Sequence, residues 1–275
     1  MALFDRGVQI KTPDQVEAMR RAGVVVGETL ATLREAARPG VTTAELDAIA
    51  EDSIRSKGAV PSFKGYYDFP ASICTSVDDV VVHGIPGDRV LAEGDIISID
   101  CGAIVEGWHG DSAITVAIGQ VPAEVTELMR VTEEAMWRGI AAARLGGRVT
   151  DISHAVESTV RAQPGGERYG IVEEYVGHGI GSEMHQKPDV PNFGKPGRGP
   201  KLVRGIALAV EPMITLGAKD TEVLEDDWTV ITTDGSWAAH FEHTFTLTAD
   251  GLWVLTALDG GEEMLGKLGV PFGGH

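Results

Sequence analysis

Five residues spread between positions 100 and 242, namely Asp100, Asp111, His178, Glu211 and Glu242, sit in short apolar contexts that read together as a cage for two metal ions. Any fold this chain adopts must therefore bring remote segments to one point. Four carboxylates and an imidazole do not bury together as a plain core, because unpaired buried charge costs on the order of several kcal/mol per group. Divalent cations remove that cost, and two of them about 3.5–4 Å apart also activate a water at neutral pH. The set marks the chain as an enzyme candidate.

With 275 residues and 43% hydrophobic content, the chain is long enough for one large core or two closely packed halves. Cys74 and Cys101 are the only cysteines, the Met-Ala-Leu-Phe-Asp-Arg opening has no apolar signal region, and no window approaches the length of a spanning helix. A reduced, cytoplasmic protein away from membranes is expected. A formal charge of −18 argues against DNA as a partner, since phosphate-backbone binding is driven by lysine and arginine.

Thr12-Pro-Asp-Gln predicts a capped helix start, with Val16, Met19, Gly23, Val26, Leu30 and Leu33 following at helical spacing towards Gly40. A second helix follows Thr42, with Glu45 three residues on, and stops at Gly58. Ser72 to Val82, Asp95 to Ile104 and Ser112 to Ile118 read as strands. Pro122 then opens a long helical segment ending near Gly146, and a shorter helix runs from about Thr150 to Gln163. Offset by 106 positions, Glu45, Leu46 and Glu51 meet Asp151, Ile152 and Glu157. The pattern is a duplication, with halves at about 12–120 and 121–256 and a tail at 257–275, read as one domain because both halves contribute to the cage.

The eleven-residue step from Asp100 to Asp111 suits two antiparallel strands joined by a short turn. Pro212 marks Glu211 as a strand end. Alternation over His240 to Thr248 puts Glu242, Thr244 and Thr246 on a polar face, and Phe241, His243, Phe245 and Leu247 on a dry one. Gly-His-Gly-Ile-Gly reads as a flexible loop carrying His178. His185 and His83 are placed to donate hydrogen bonds into a cavity. Cys74 and Cys101 read as packing, with alternation turning Cys101 away from the metals, and His109, His240 and His243 read as supporting or structural.

Val-His-Gly-Ile-Pro, Ser-Ile-Asp with His-Gly-Asp eleven residues on, Gly-His-Gly-Ile-Gly, Met-His-Gln-Lys-Pro, Val-Glu-Pro-Met and Phe-Glu-His-Thr occur in one order from about Thr12 to Thr256. In these motifs the chain resembles the type I methionine aminopeptidases. The resemblance implies an α+β pita-bread fold, two pseudo-symmetric halves around a curved antiparallel sheet. The 26 positions from His185 to Glu211 leave no room for the helical insertion of type II enzymes, and the chain is expected to begin at the catalytic domain.

The resemblance further implies two divalent ions (Co, Mn, Fe or Zn) ligated by Asp100, Asp111, His178, Glu211 and Glu242, with Asp111 and Glu242 bridging. Their shared hydroxide would attack the peptide bond after an N-terminal methionine that precedes a small residue. Glu211 would shuttle the proton, His185 would stabilise the oxyanion and His83 would hold the scissile amide. Phe63, Tyr66, Phe69, Cys74, Met184 and Trp228 match the methionine pocket; Phe63 and Met184 stand where relatives often carry a smaller residue and a phenylalanine. Two other readings are a proline-specific peptidase of the same fold and a metal-free binding module.

Nothing in the sequence suggests more than a monomer; action on N-termini of nascent chains is implied, and relatives that dock at the ribosomal exit tunnel use lysines between Gly217 and Asp227. Here that stretch holds Lys219 against five carboxylates, a net charge of −4. Phosphate-rich RNA should repel it, so ribosome docking is expected to be weak or to use another surface. Co-sedimentation with ribosomes that survives neutralisation of every basic patch except Lys219 would contradict this expectation.

Overall fold

The computed structural model describes residues 7–275; the Met-Ala-Leu-Phe-Asp-Arg opening lies outside them. Both expected capping boxes form. Helix α1 (Pro13–Ala36) starts at Thr12, whose backbone N–H donates to Gln15 Oε1 at 2.9 Å, and α2 (Thr43–Ser56) starts at Thr42, whose N–H donates to Glu45 at 2.8 Å. Helices α3 (Ala123–Ala142) and α4 (Val149–Arg161) repeat the pair. At the start of α4, Asp151 accepts from the Arg148 N–H at 2.8 Å, so the offset positions Glu45 and Asp151 carry the same capping role. Their neighbours Leu46 and Ile152 are both fully buried.

One nine-stranded sheet runs through both sequence halves, and every strand pair in it is antiparallel. Its order is Val60–Pro61, Ile96–Val105, Trp108–Ala117, Glu242–Leu247, Ala207–Val210, Gly177–Gly179, Gln186–Val190, with Ile73–Val77 and Leu252–Val254 branching from it. The halves meet where Glu242 and His243 pair with Ala113 and Ser112. Helix α1 packs on the Ile96–Val105 and Trp108–Ala117 strands, α3 packs on α4, and buried aliphatic residues from α1, α2, α3 and α4 form the main core with Ile97, Ile99, Val210 and Phe245.

Five local expectations are corrected. The stretch from Ser72 to Val82 is two strands, Ile73–Val77 and Val80–Val82, because Asp78 takes a left-handed φ of 55° and the second strand joins a separate sheet. The strand expected from Ser112 begins at Trp108. His178 belongs to the Gly177–Gly179 strand rather than a loop, with an irregularity at Gly179. The run from His240 breaks at Phe241: Ala238–His240 pairs with Met213–Thr215 in a three-stranded sheet, while Glu242–Leu247 lies in the large one. The polar face of that strand is as dry as the other, with the Thr244 and Thr246 hydroxyls donating to the carbonyls of Asp111 and Ile206 at 2.8 and 2.7 Å.

Helix α1 sits against the sheet backbone itself. A Cβ on Gly23 would collide with the carbonyl oxygen of Leu255, and one on Gly110 would lie 2.7 Å from the Gly23 nitrogen. Gly23→Ala therefore should cost about 1–3 kcal/mol through overpacking, lowering Tm by about 2–4 °C for each kcal/mol in a chain of this size. Gly266→Ala, in a helix where a Cβ meets nothing within 4 Å, should be neutral or stabilising by up to about 1 kcal/mol. Thermal unfolding of the two variants checks the contrast.

Candidate active site

The hairpin that carries two of the acids turns at Glu106 and Gly107, whose φ values of 52° and 81° are the left-handed pair a two-residue turn uses. Its register places Asp100 opposite Ala113 and Gly102 opposite Asp111, so the two carboxylates project from one face. Ala113 is also opposite Glu242, and Cys74 is opposite Asp100. Cys74, Asp100, Ala113 and Glu242 thus form a row across four strands, and the methyl group of Ala113 leaves room for the acids on either side. Glu211 follows directly on the Ala207–Val210 strand, at the strand end anticipated from Pro212.

His178 reaches the same point from the second half. Its flanking glycines are required: a Cβ on Gly177 or Gly179 would strike the carbonyl oxygens of Ala209 and Lys187. The His178 Nδ1–H donates to the Gly179 carbonyl at 3.0 Å, which leaves the Nε2 lone pair facing the acids. Nε2 lies 3.4 Å from Glu211 Oε1 and 3.9 Å from Asp111 Oδ2. Burial, then the neighbouring His185, lowers the imidazole pKa to about 3, so it is neutral at pH 7.

Asp111, Glu211 and Glu242 are buried, and Asp100 is half-buried with its Oδ1 sealed from solvent. Asp100 Oδ1, Asp111 Oδ1 and Glu242 Oε1 have no hydrogen-bond partner. Burial raises all four carboxyl pKa values, and mutual repulsion adds to it, from Glu242 and Asp100 on Asp111 and from Glu211 and Asp100 on Glu242. Asp111, His178 and Glu242 offer ligand atoms within 4.8 Å of one another. Unpartnered carboxyl oxygens around a neutral imidazole are a donor set that fits divalent cations, which would displace the carboxyl protons.

Every residue expected at the site lines one cavity of about 240 Å³. Ligand pockets commonly hold about 300–1,000 Å³, so this one suits a single side chain rather than an extended peptide. Phe63, Phe69, Cys74 and Met184 are buried as a satellite apolar cluster, with Tyr66, Trp228 and Ile85 packed against it. Phe69 and Trp228 meet edge to face with ring centres 5.0 Å apart. Burial pushes the Cys74 thiol pKa up, which keeps it an apolar wall; Cys101, opposite Ile73, points into the main core as alternation required.

His185 stands at the cavity mouth, its ring 4.3 Å from that of His178, and its Nδ1 bonds to the Tyr66 hydroxyl at 2.9 Å. His83 holds a left-handed φ of 59°, and its ring packs edge-on against Tyr175 and Trp228. Burial, then His185, lowers its pKa to about 4. Of the other histidines, His109 and His243 have their Nδ1 atoms engaged by Ser62 and by Ser112 and Thr256.

Sequence reasoning missed two residues. Tyr67 lines the cavity because a φ of 45° swings it there, and no sequence signal announces that. His240 reads from the sequence as supporting or structural, and its Nε2 lies 3.9 Å from Glu211 Oε2. Its position two residues before Glu242 was the available signal.

Two half-sheets that pool buried carboxylates and imidazole beneath an apolar slot define a metallohydrolase. Residues 17–249 match the model of metallopeptidase family M24. The chain is 54% identical over 248 residues to a methionine aminopeptidase of Clostridium acetobutylicum, covering 90% of this chain and 98% of that one. It is 51% identical to methionine aminopeptidase 1 of Mycobacterium tuberculosis, covering 91% and 96%. It also superimposes on the crystal structure of methionine aminopeptidase from Thermotoga maritima with a TM-score of 0.88, at 39% identity and covering 91% and 99%. The chain belongs to family M24 and, within it, to the type I methionine aminopeptidases, as a metallo-aminopeptidase with their pita-bread fold.

The raised carboxyl pKa values carry a signed consequence. Without metal, the folded chain holds protons that the unfolded chain releases near pH 4. Stability from these neutral carboxyls is complete below about pH 4 and is lost as pH rises through the folded values. A divalent ion replaces the protons, so the Tm gain on adding Co²⁺ or Mn²⁺ should grow between about pH 5.5 and 7.5. A gain that shrinks over that window, in scans of ion-free and ion-loaded protein, would contradict the cage.

Proposed function

We propose that this enzyme removes the initiator methionine from nascent proteins and peptides whose second residue is small (Ala, Gly, Ser, Thr, Pro or Val), using two divalent ions. The supporting observation is that the five donor residues and the apolar cluster open into the same cavity. When bound, a pair of Co, Mn, Fe or Zn ions supplies Lewis acidity and an acidified water. Asp100, Asp111, His178, Glu211 and Glu242 would hold the pair.

The methionine side chain fills the slot between Phe63, Phe69, Met184 and Trp228, where thioether–aromatic contact contributes about 0.3–1.5 kcal/mol. Glu211 takes the proton of the attacking water and returns it to the leaving amine. With the Tyr66 phenol donating to Nδ1, His185 carries its proton on Nε2 and donates to the developing oxyanion. His83, fixed by Tyr175 and Trp228, holds the scissile amide. Nascent chains would meet this site with little help from the Gly217–Asp227 stretch, since Lys219 is already paired with Glu173 at 2.6 Å.

Met-Ala-Ser should be cleaved by the ion-depleted enzyme only after Co²⁺ or Mn²⁺ is restored, and Ala-Pro should not be cleaved. His185→Ala should lower kcat by about 10²–10³-fold while retaining its metal. Cleavage of Ala-Pro in preference to Met-Ala-Ser, or full turnover in His185→Ala, would refute the assignment.

A further inference from the structure

Beside the five expected donors, one more buried side chain presents an unused ligand atom to the cage. His240 is 1% exposed, and its Nε2 has no hydrogen-bond partner. That nitrogen lies 3.9 Å from Glu211 Oε2, while His178 Nε2 lies 3.4 Å from Glu211 Oε1. The Glu211 carboxylate is therefore flanked by imidazoles on both of its oxygens. Glu211, His240 and Glu242 have ligand atoms within 4.8 Å of one another, a second donor group that shares Glu242 with the Asp111, His178 and Glu242 group.

The position of His240 is held from behind. Its backbone N–H donates to Thr115 Oγ1 at 3.0 Å, and its carbonyl accepts from the same hydroxyl at 2.8 Å. The strand break at Phe241 then passes the chain into the large sheet, with Glu242 two residues on. Atoms bound to one ion through bonds of about 2.1 Å lie within about 4.2 Å of each other. The distances of 3.4 and 3.9 Å around Glu211 satisfy that limit without rearrangement of the backbone.

We propose that His240 is a sixth protein ligand of the metal pair, giving the Glu211 end of the cage a second imidazole beside His178. The proposal rests on the two-ion reading above. Each of the two donor groups then carries one imidazole, His178 with Asp111 and Glu242, and His240 with Glu211 and Glu242. Imidazole nitrogen favours borderline ions such as Zn, Co and Fe, whereas oxygen donors suit Mn and Mg. Both groups are then expected to prefer the borderline ions.

The test uses the whole protein, stripped of metal and reloaded with two equivalents of Co²⁺. X-ray absorption at the cobalt edge counts imidazoles through their ring scattering; two per metal pair are expected in the wild type and one in His240→Gln. Calorimetric titration should show one Co²⁺ step weakened about 10- to 100-fold in His240→Gln and the other unchanged, with circular dichroism confirming that the ion-free variant is folded. Two bound ions with a single imidazole in the wild type, a count that needs no variant, would overturn His240 ligation and leave the two-ion reading intact. A wild-type protein that takes up no Co²⁺ would overturn both.

Discussion

Four carboxyl groups pressed together out of water set the terms for the rest of this structure. Asp100, Asp111, Glu211 and Glu242 would repel one another and lose their hydration, and the oxygens left without partners show that hydrogen bonds alone do not compensate. Removing a partner from a buried charge is among the costlier changes in a folded protein, on the order of 3–5 kcal/mol. Cations held there would complete the arrangement. The scaffold beneath is closely tied by paired strands, by glycines where backbones touch, and by the Thr244 and Thr246 hydroxyls donating to backbone carbonyls.

A different material lies beside the acids. The apolar cluster around Phe63, Phe69 and Met184 is separate from the main core and ends where Cys74 stands opposite Asp100. A single strand, Ile73–Val77, thus carries the boundary between the apolar slot and the carboxylate cage. His83 and His185 occupy that boundary from the other sides, both held neutral by their surroundings. Neutral donors can approach a developing negative charge without competing with the cations for the same acids.

Much of this was legible in the amino-acid order because the signals were local. The Thr12 and Thr42 caps, the hairpin spacing from Asp100 to Asp111 and the strand end at Glu211 each depend on residues a few positions apart, and the structure has all of them. What escaped depends on tertiary context. A left-handed Asp78 divides an apolar run that reads as one strand, and the three-residue strand at His178 is too short for any alternation to register. His240 looked like a bystander because its significance lies in the second oxygen of Glu211, which belongs to a different strand. The expected polar face of Thr244 and Thr246 failed for a similar reason: periodicity reports which residues share a face, not what covers it.

The row formed by Asp100, Ala113 and Glu242 has one more consequence. Asp100 and Ala113 come from the first half of the chain, Glu242 from the second, and the pairing of Ala113 with Glu242 is the seam of the sheet. Cations lodged there would clasp the two halves together, tying strands that are remote along the polypeptide, so that chelation would loosen this joint as well as remove the chemistry.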